Sequence, residues 1–493
     1  MDEAQSQAAE ENVARLDGED ETAPVTEQQR RWIFRNIIIT TVASSALATS
    51  LGVAIPAIMR DLEIPVTTAR WLSSGYILTM AIMMPLTAFM AKRIPTRRLY
   101  LGALSLFLAG LVANAVATSF PVMMTGRVIQ AIGGGMVSSL AQMIILTIFP
   151  AGKRGSAMGW WGLASGAAPI IAPTLTGLVI DVASWRVIFY VAIGAILLSL
   201  VVAFFVFRDV LETSKPRFDV PSFILSVFTF GGIVLGFGNG GAYPVLSLQV
   251  LGAVLIGVFA GVLFVVRQLR LDEPLLNVGL LKTSRTLALS AVAVVLYHFV
   301  MLGSSLILPI YVQNVVGGSA TASALMMMPG AAFMTFMSPV AGRWFDRLGA
   351  TPLLAIGGLT LAASTFGMFF VTLQTPLWVP ALLNIVRGGA QAALMMMLVT
   401  WGTSRITRSD TPDGTALLSS IRSLSTATGS AVLIGIMDLV QRTSIDSYGA
   451  NAGIHGVNVT FALMALPGLG LVLIAAINKA LEKNQHNRLF SNH

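Results

Sequence analysis

Residues 338–351 read SPVAGRWFDRLGAT, and residues 85–98 read PLTAFMAKRIPTRR. Each is a short basic connection between two long apolar runs: 71–91 and 99–118 around the earlier one, 322–341 and 352–372 around the later one. About 20 apolar residues in a helix cross roughly 30 Å of hydrocarbon, so each connection joins two candidate membrane spans. The recurrence of this hairpin at corresponding places in two parts of the chain marks an internal duplication. A fainter echo supports it: RVIQAIGGGM at 127–136 and NIVRGGAQAALM at 384–395 each place an Arg a few residues before a glycine pair.

Extending the same reading outward gives fourteen spans, at 36–59, 71–91, 99–118, 123–149, 157–180, 187–207, 220–239, 245–266, 286–312, 322–341, 352–372, 377–400, 415–439 and 457–477. Composition agrees, because 55% of the 493 residues are hydrophobic and only 11% are charged, where a water-soluble chain carries about 25%. Most of the surface therefore faces lipid. The positive charge is unevenly placed: the N-terminal segment, alternate loops and the C-terminal tail hold twenty-four Lys and Arg, whereas the opposite loops hold only Arg60, Arg70, Arg186 and Arg442. Lys and Arg stay preferentially cytoplasmic, so both termini are expected on that side. The net charge of +8 is thus a topology signal, and nucleic-acid binding is not expected.

The expected organisation is an all-α membrane protein in which two six-helix bundles, 33–210 and 286–480, flank two extra helices at 211–268. Residues 1–32, acidic and without the apolar core of a signal peptide, read as a disordered cytoplasmic tail, and 481–493 as a second one. Residues 269–285 are too short and charged to cross, and read as an amphipathic connector along the cytoplasmic membrane surface. The chain has no cysteine and four histidines, which removes thiolate chemistry and leaves little for a metal centre. Neither an enzyme nor a cofactor is expected.

At this point the chain resembles the major facilitator superfamily over residues 33–480, specifically its fourteen-helix drug:proton antiporter branch of the lincomycin-resistance type. Gly342, Asp346, Arg347 and Gly349 match the family's Gly-x-x-x-Asp-Arg-x-Gly loop, which braces neighbouring helices. The first-half copy has Ala88, Lys92 and Pro95 instead, and only Arg93 is retained, which puts the usual gate salt bridge of that half in question. Arg127, Gln130, Ala131, Gly133 and Gly135 match the helix-four motif. GLASGAAPIIAPTLTG at 162–177, followed by SWRVIFY at 184–190, resembles the antiporter motif of helix five, with Ala172 and Thr176 replacing two of its glycines. Gly162, Gly166, Pro169, Pro173 and Gly177 would let that helix pack closely and bend, a structural reading sufficient in itself.

Polar groups within spans are costly and tend to face a wet cavity or a partner. Arg127 and Gln130 share one helical face, as do Asn384, Arg387 and Gln391. In the resembled fold both stripes line the central cavity; binding of helix-end carbonyls is the alternative. Arg422 lies on a face with Ser419 and Thr426, nearer the cytoplasm. His298, beside Tyr297 and two turns before Ser305, has the one side chain whose ordinary pKa suits proton loading near neutrality, although a lone His in a helix is more often a hydrogen-bonded structural residue. Asp438 and Asp181, at outer span ends, are the other proton-coupling candidates. No Asp or Glu falls in the middle of any span, and 48–52 read ATSLG where many relatives in that branch carry an acid. Such a cavity disfavours permanently dicationic drugs.

The methionine triplets at 326–328 and 395–397 add adaptable apolar surface, part of which would reach a cavity. The expected function is export of lipophilic drugs or other small amphiphiles by alternating access, in a bacterial cytoplasmic membrane and as a monomer. Proton influx is the drive the resemblance implies, since no Gly-x-x-x-x-Gly-Lys-Ser/Thr nucleotide loop is present. The alternatives are export of an endogenous lipid, peptide or metabolite, and a non-transporting receptor or scaffold whose acidic tail binds a partner.

Overall fold

The computed structural model describes residues 25–214, 217–239, 247–407 and 409–490. These form fourteen long helices and no strand: α1 Glu27–Asp61, α2 Trp71–Arg93, α3 Thr96–Ala115, α4 Phe120–Ile148, α5 Arg154–Val182, α6 Arg186–Val206, α7 Val220–Asn239, α8 Leu248–Gln268, α9 Arg285–Ile310, α10 Ala320–Leu348, α11 Ala350–Gly367, α12 Trp378–Gly402, α13 Thr411–Thr443 and α14 Ala452–Phe490. Thirteen are long and apolar enough to cross a membrane. The exception, α13, has the length, at 33 residues, but carries a run of Ser, Thr and Arg that it turns inward: Thr415, Ser419 and Ser420 are buried.

The helices sort into two halves. In the first, α1 packs on α5 and α6, α2 on α4, and α3 on α4 and α6; in the second, α9 packs on α13, α14 and α12, α10 on α12, and α11 on α14. A buried polar knot ties the first half together: Asn36 donates to the Ser199 carbonyl at 2.7 Å, Tyr100 donates to Asn36 at 3.2 Å, and Thr40 meets the Ser199 hydroxyl at 2.6 Å. The halves meet along α5 with α10 and α2 with α13, while α7 lies across the seam, touching both α2 and α13. The α7–α8 hairpin is pinned at its base, where Arg267 clamps Asp219 through two bonds of 2.7 and 2.8 Å. That guanidinium, with Ser222, holds the Asp219 carboxyl well below the usual carboxylate range.

Three boundaries differ from those read in the sequence. Helix α1 begins at Glu27, inside the segment assigned to the tail, because Thr26 and Gln29 form a reciprocal capping box. Helix α14 continues to Phe490, past residue 480. The 269–285 connector does not lay all its leucines on the membrane: Leu269 is exposed, but Leu275, Leu276 and Leu280 are buried in the protein core, and the Gln268 side chain accepts from the Leu276 backbone at 3.1 Å.

Candidate functional site

The α5–α10 seam is built from residues too small to hold the helices apart. Gly155, Gly159, Gly162 and Gly166 recur at helical spacing on one face of α5. A Cβ on Gly159 would stand 2.6 Å from the Ser338 carbonyl oxygen, and one on Gly342 only 2.2 Å from that of Gly155. The two backbones therefore touch, and any larger side chain would wedge them apart. Gly177 continues the same face three turns on, yet a Cβ there would meet nothing within 4 Å. Contact thus runs along the end of the bundle where α5 begins and is lost toward the end where α5 finishes. Pro169 and Pro173 lie between, inside a helix that continues through both.

Two latches secure the closed end. Asp346, near the end of α10, accepts from the backbone N–H groups of Gly155 and Ser156 at 2.7 Å each, capping α5 from the other half. Across the pseudo-symmetric position, Lys92 of α2 forms an ion pair with Asp413 of α13. Asp413 is completely buried, and its second oxygen has no partner. The first-half copy therefore keeps a cross-seam bond with its charges exchanged, where sequence reading left that bridge in question. The signal was present: Lys92 occupies the place of Asp346, and an acid opens α13 in the TPDG run at 411–414. Arg93 and Arg347 are exposed beside these latches, and Gly349 ends α10 at φ +76°, the left-handed region that favours glycine.

The arginine stripes occupy the two halves differently. Arg127 is 2% exposed and held by α2 and its own helix: its Nε donates to the Leu72 carbonyl at 3.0 Å, its Nη1 donates to Gln130 at 2.7 Å, and its guanidinium stacks 4.0 Å from the Tyr76 ring centre. It offers no free head to a cavity, contrary to the cavity reading, because α2 presents a carbonyl and an aromatic face within its reach. The Gln130 oxygen also accepts from Asn114 at 3.1 Å, while its Nε2 is buried without a partner. In the second half, Asn384 donates to the Met327 carbonyl at 3.1 Å and accepts from Arg387, whose Nε and Nη1 have no partner. Gln391 is buried close by, its carbonyl accepting from Tyr297 at 3.4 Å. Ser305 turns back to the Met301 carbonyl at 3.1 Å.

His298 is buried against the Tyr297 ring, and its Nδ1 donates to the Val294 carbonyl at 2.9 Å, which makes Nε2 the proton-accepting nitrogen of the neutral ring. Asp438 lies at the exposed end of α13 in an ion pair with Arg442 at 2.9 Å. The side chain of Asp181 lies outside the described residues. A cavity of about 630 Å³ opens between α1 and α5, lined by Ile38, Val42, Trp160, Ala167, Ile171 and Leu175 among others; none of the predicted polar site residues faces it.

Two halves of six helices, a helical hairpin across their seam and a glycine-lined contact closing one end define a major facilitator-type membrane transporter. The chain belongs to the Major Facilitator Superfamily, whose family model matches residues 37–430. It is 37% identical over 432 residues to the uncharacterized MFS-type transporter YcnB of Bacillus subtilis, covering 87% of this chain and 91% of that one. It is 34% identical over 391 residues to the lincomycin resistance protein LmrB of the same organism, covering 79% and 81%. Among solved structures, the human organic anion transporter MFSD10 (TETRAN) shares the fold at a TM-score of 0.64 and 14% identity, with 92% and 100% of the two chains covered.

Proposed function

We propose that this transporter exports lipophilic small molecules from a bacterial cytoplasmic membrane by alternating access, driven by proton influx, with both termini cytoplasmic. The seam carries this reading. It is held closed by contacts at the end rich in Lys and Arg and parts toward the other, so the two halves can rock about it and expose their interface to either compartment in turn. Outward direction is supported by the helix-five motif and by the resistance proteins among the relatives. One proton entering down 100 mV supplies about 2.3 kcal/mol, enough for a substrate gradient of about fifty-fold.

His298 is the proton carrier in this reading: it is buried, and with Nδ1 donating to Val294 its Nε2 is the nitrogen left to accept a proton. Asp438 ranks behind it because it is exposed at the end of α13 and already paired with Arg442; Asp181 remains a third candidate. Liposomes containing only this protein, with an imposed pH gradient, test the proposal. A lincosamide or another lipophilic drug should dissipate the gradient, and dissipation independent of the drug, or none at all, would reject proton-coupled export.

A further inference from the structure

The duplicated helix-four motif leaves one of its two arginines unsatisfied. Arg127 has a carbonyl, an amide oxygen and an aromatic face. Arg387, its counterpart on α12, is 4% exposed and bonded through Nη2 to Asn384 alone, so two further donor nitrogens are buried without a partner. Buried polar groups in folded proteins are almost always paired, and a guanidinium in a water-poor interior is strongly disfavoured unless an anion or hydrogen-bond acceptor meets it.

A second guanidinium adds to the imbalance. Arg422 on α13 is half-buried, and α9 packs on both α12 and α13, with its Tyr297 donating to the Gln391 carbonyl of α12 at 3.4 Å. No Asp or Glu lies at ion-pair distance from Arg387 or Arg422 among the described residues. Counting residues along each helix, Tyr297 and Arg387 fall around the middle of their spans, and Arg422 lies about a third of the way along α13 from its N-terminal end. Arginine's fork of N–H groups matches the paired oxygens of a carboxylate, sulfonate or phosphate.

We propose that α9, α12 and α13 form a subsite for the anionic group of an amphiphilic substrate, with Arg387 as its principal donor and Arg422 as the second. This deepens the transporter reading, on which it rests, by naming the charge class of the cargo. An anion entering here completes the Arg387 donor set, whereas a cation meets two uncompensated positive charges. The first half, whose arginine is already paired, contributes apolar surface and closure.

Three dansyl probes of nearly equal size separate charge from lipophilicity: dansylglycine (carboxylate), dansylglycinamide (neutral) and dansylethylenediamine (cation). Binding would be read by fluorescence on the full-length protein in nanodiscs of zwitterionic lipid, without a pH gradient. Dansylglycine should bind about 10- to 100-fold more tightly than the amide, and the cation most weakly. Arg387→Gln should remove most of that preference, Arg422→Gln part of it, and Arg387→Lys should retain some because it keeps the charge. Equal binding of acid and amide, a preference that survives in a folded Arg387→Gln/Arg422→Gln protein, or no dansylglycine binding up to about 1 mM would each overturn the subsite. If Arg387→Gln fails to fold, the Arg422→Gln and Arg387→Lys proteins still decide it. A wild-type protein that shows no anion preference while drug-dependent gradient dissipation is intact would refute the subsite alone; an anion preference that depends on Arg387, without drug-dependent dissipation, would refute proton-coupled export alone.

Discussion

Replacing Lys92 with Ala should unlatch the closed end of the seam. The Asp413 carboxylate has no exposed surface, and one of its oxygens is already without a partner, so removing Lys92 leaves a buried anion without its counter-charge. Breaking a buried pair in this way costs about 3–5 kcal/mol. The Lys92 side chain is 21% exposed, so water reaches the pair and about 2–3 kcal/mol is the better expectation. The closed arrangement should then lose a factor of about 30–150 relative to the open one. Asp413→Asn should cost less, about 1 kcal/mol, because the Lys92 ammonium left behind can extend to solvent.

The absence of native cysteine makes the measurement direct. Spin labels at Arg98→Cys and Arg343→Cys, both exposed and on opposite halves, report the separation by pulsed electron resonance in nanodiscs. Lys92→Ala should shift most of the distance distribution to longer values, Asp413→Asn should shift less of it, and Lys92→Asp/Asp413→Lys should restore the short distance. Equal shifts from the two single changes, or no shift with Lys92→Ala, would refute the buried-charge explanation.

Other outcomes follow from the same geometry. His298→Gln should abolish gradient-driven flux in vesicles while leaving drug binding measurable; unchanged flux would remove His298 as the carrier. Gly159→Leu, which forces a side chain into the Ser338 backbone, should hold the same spin-label pair apart and slow transport at least tenfold, whereas Gly177→Leu, with open space around it, should do neither. Because the folded Asp219 carboxyl titrates below its unfolded value of about 3.9, its stabilisation is present above that pH and is lost only as pH falls through the depressed value. The melting temperature of Asp219→Asn should therefore lie about 1–2 °C below wild type by an amount that stays constant from pH 8 to about pH 5; a gap that closes by pH 5 would contradict it. A dicationic dye should compete much more weakly than a neutral drug of similar size, and equal competition would contradict a cavity without carboxylates.

The fourteen helices were legible because each apolar run is long enough to have one physical meaning, and even α13, whose serines dilute its hydropathy, declared itself by position. The connector was misread because leucines spaced for a membrane surface are spaced equally well for a protein core, and nothing local separates Leu275 on lipid from Leu275 against helices. The partner of Arg127 was beyond sequence reading for a related reason: a backbone carbonyl such as that of Leu72 has no residue type. Lys92 with Asp413 is the instructive case. Both charges were visible, but more than three hundred residues separate them, and only the packing of α2 on α13 makes them a pair.

Where α5 meets α10, main chain rests on main chain at Gly159 and Gly342, and Gly162 and Gly166 meet nothing longer from α10 than the side chains of Ser338 and Thr335. Such a joint lacks interlocking teeth: parting it requires no rotamers to unhook, and re-forming it requires none to find their sockets. Helices joined in this way can roll over one another with little friction, leaving the charged contacts at the rim to decide when the motion starts.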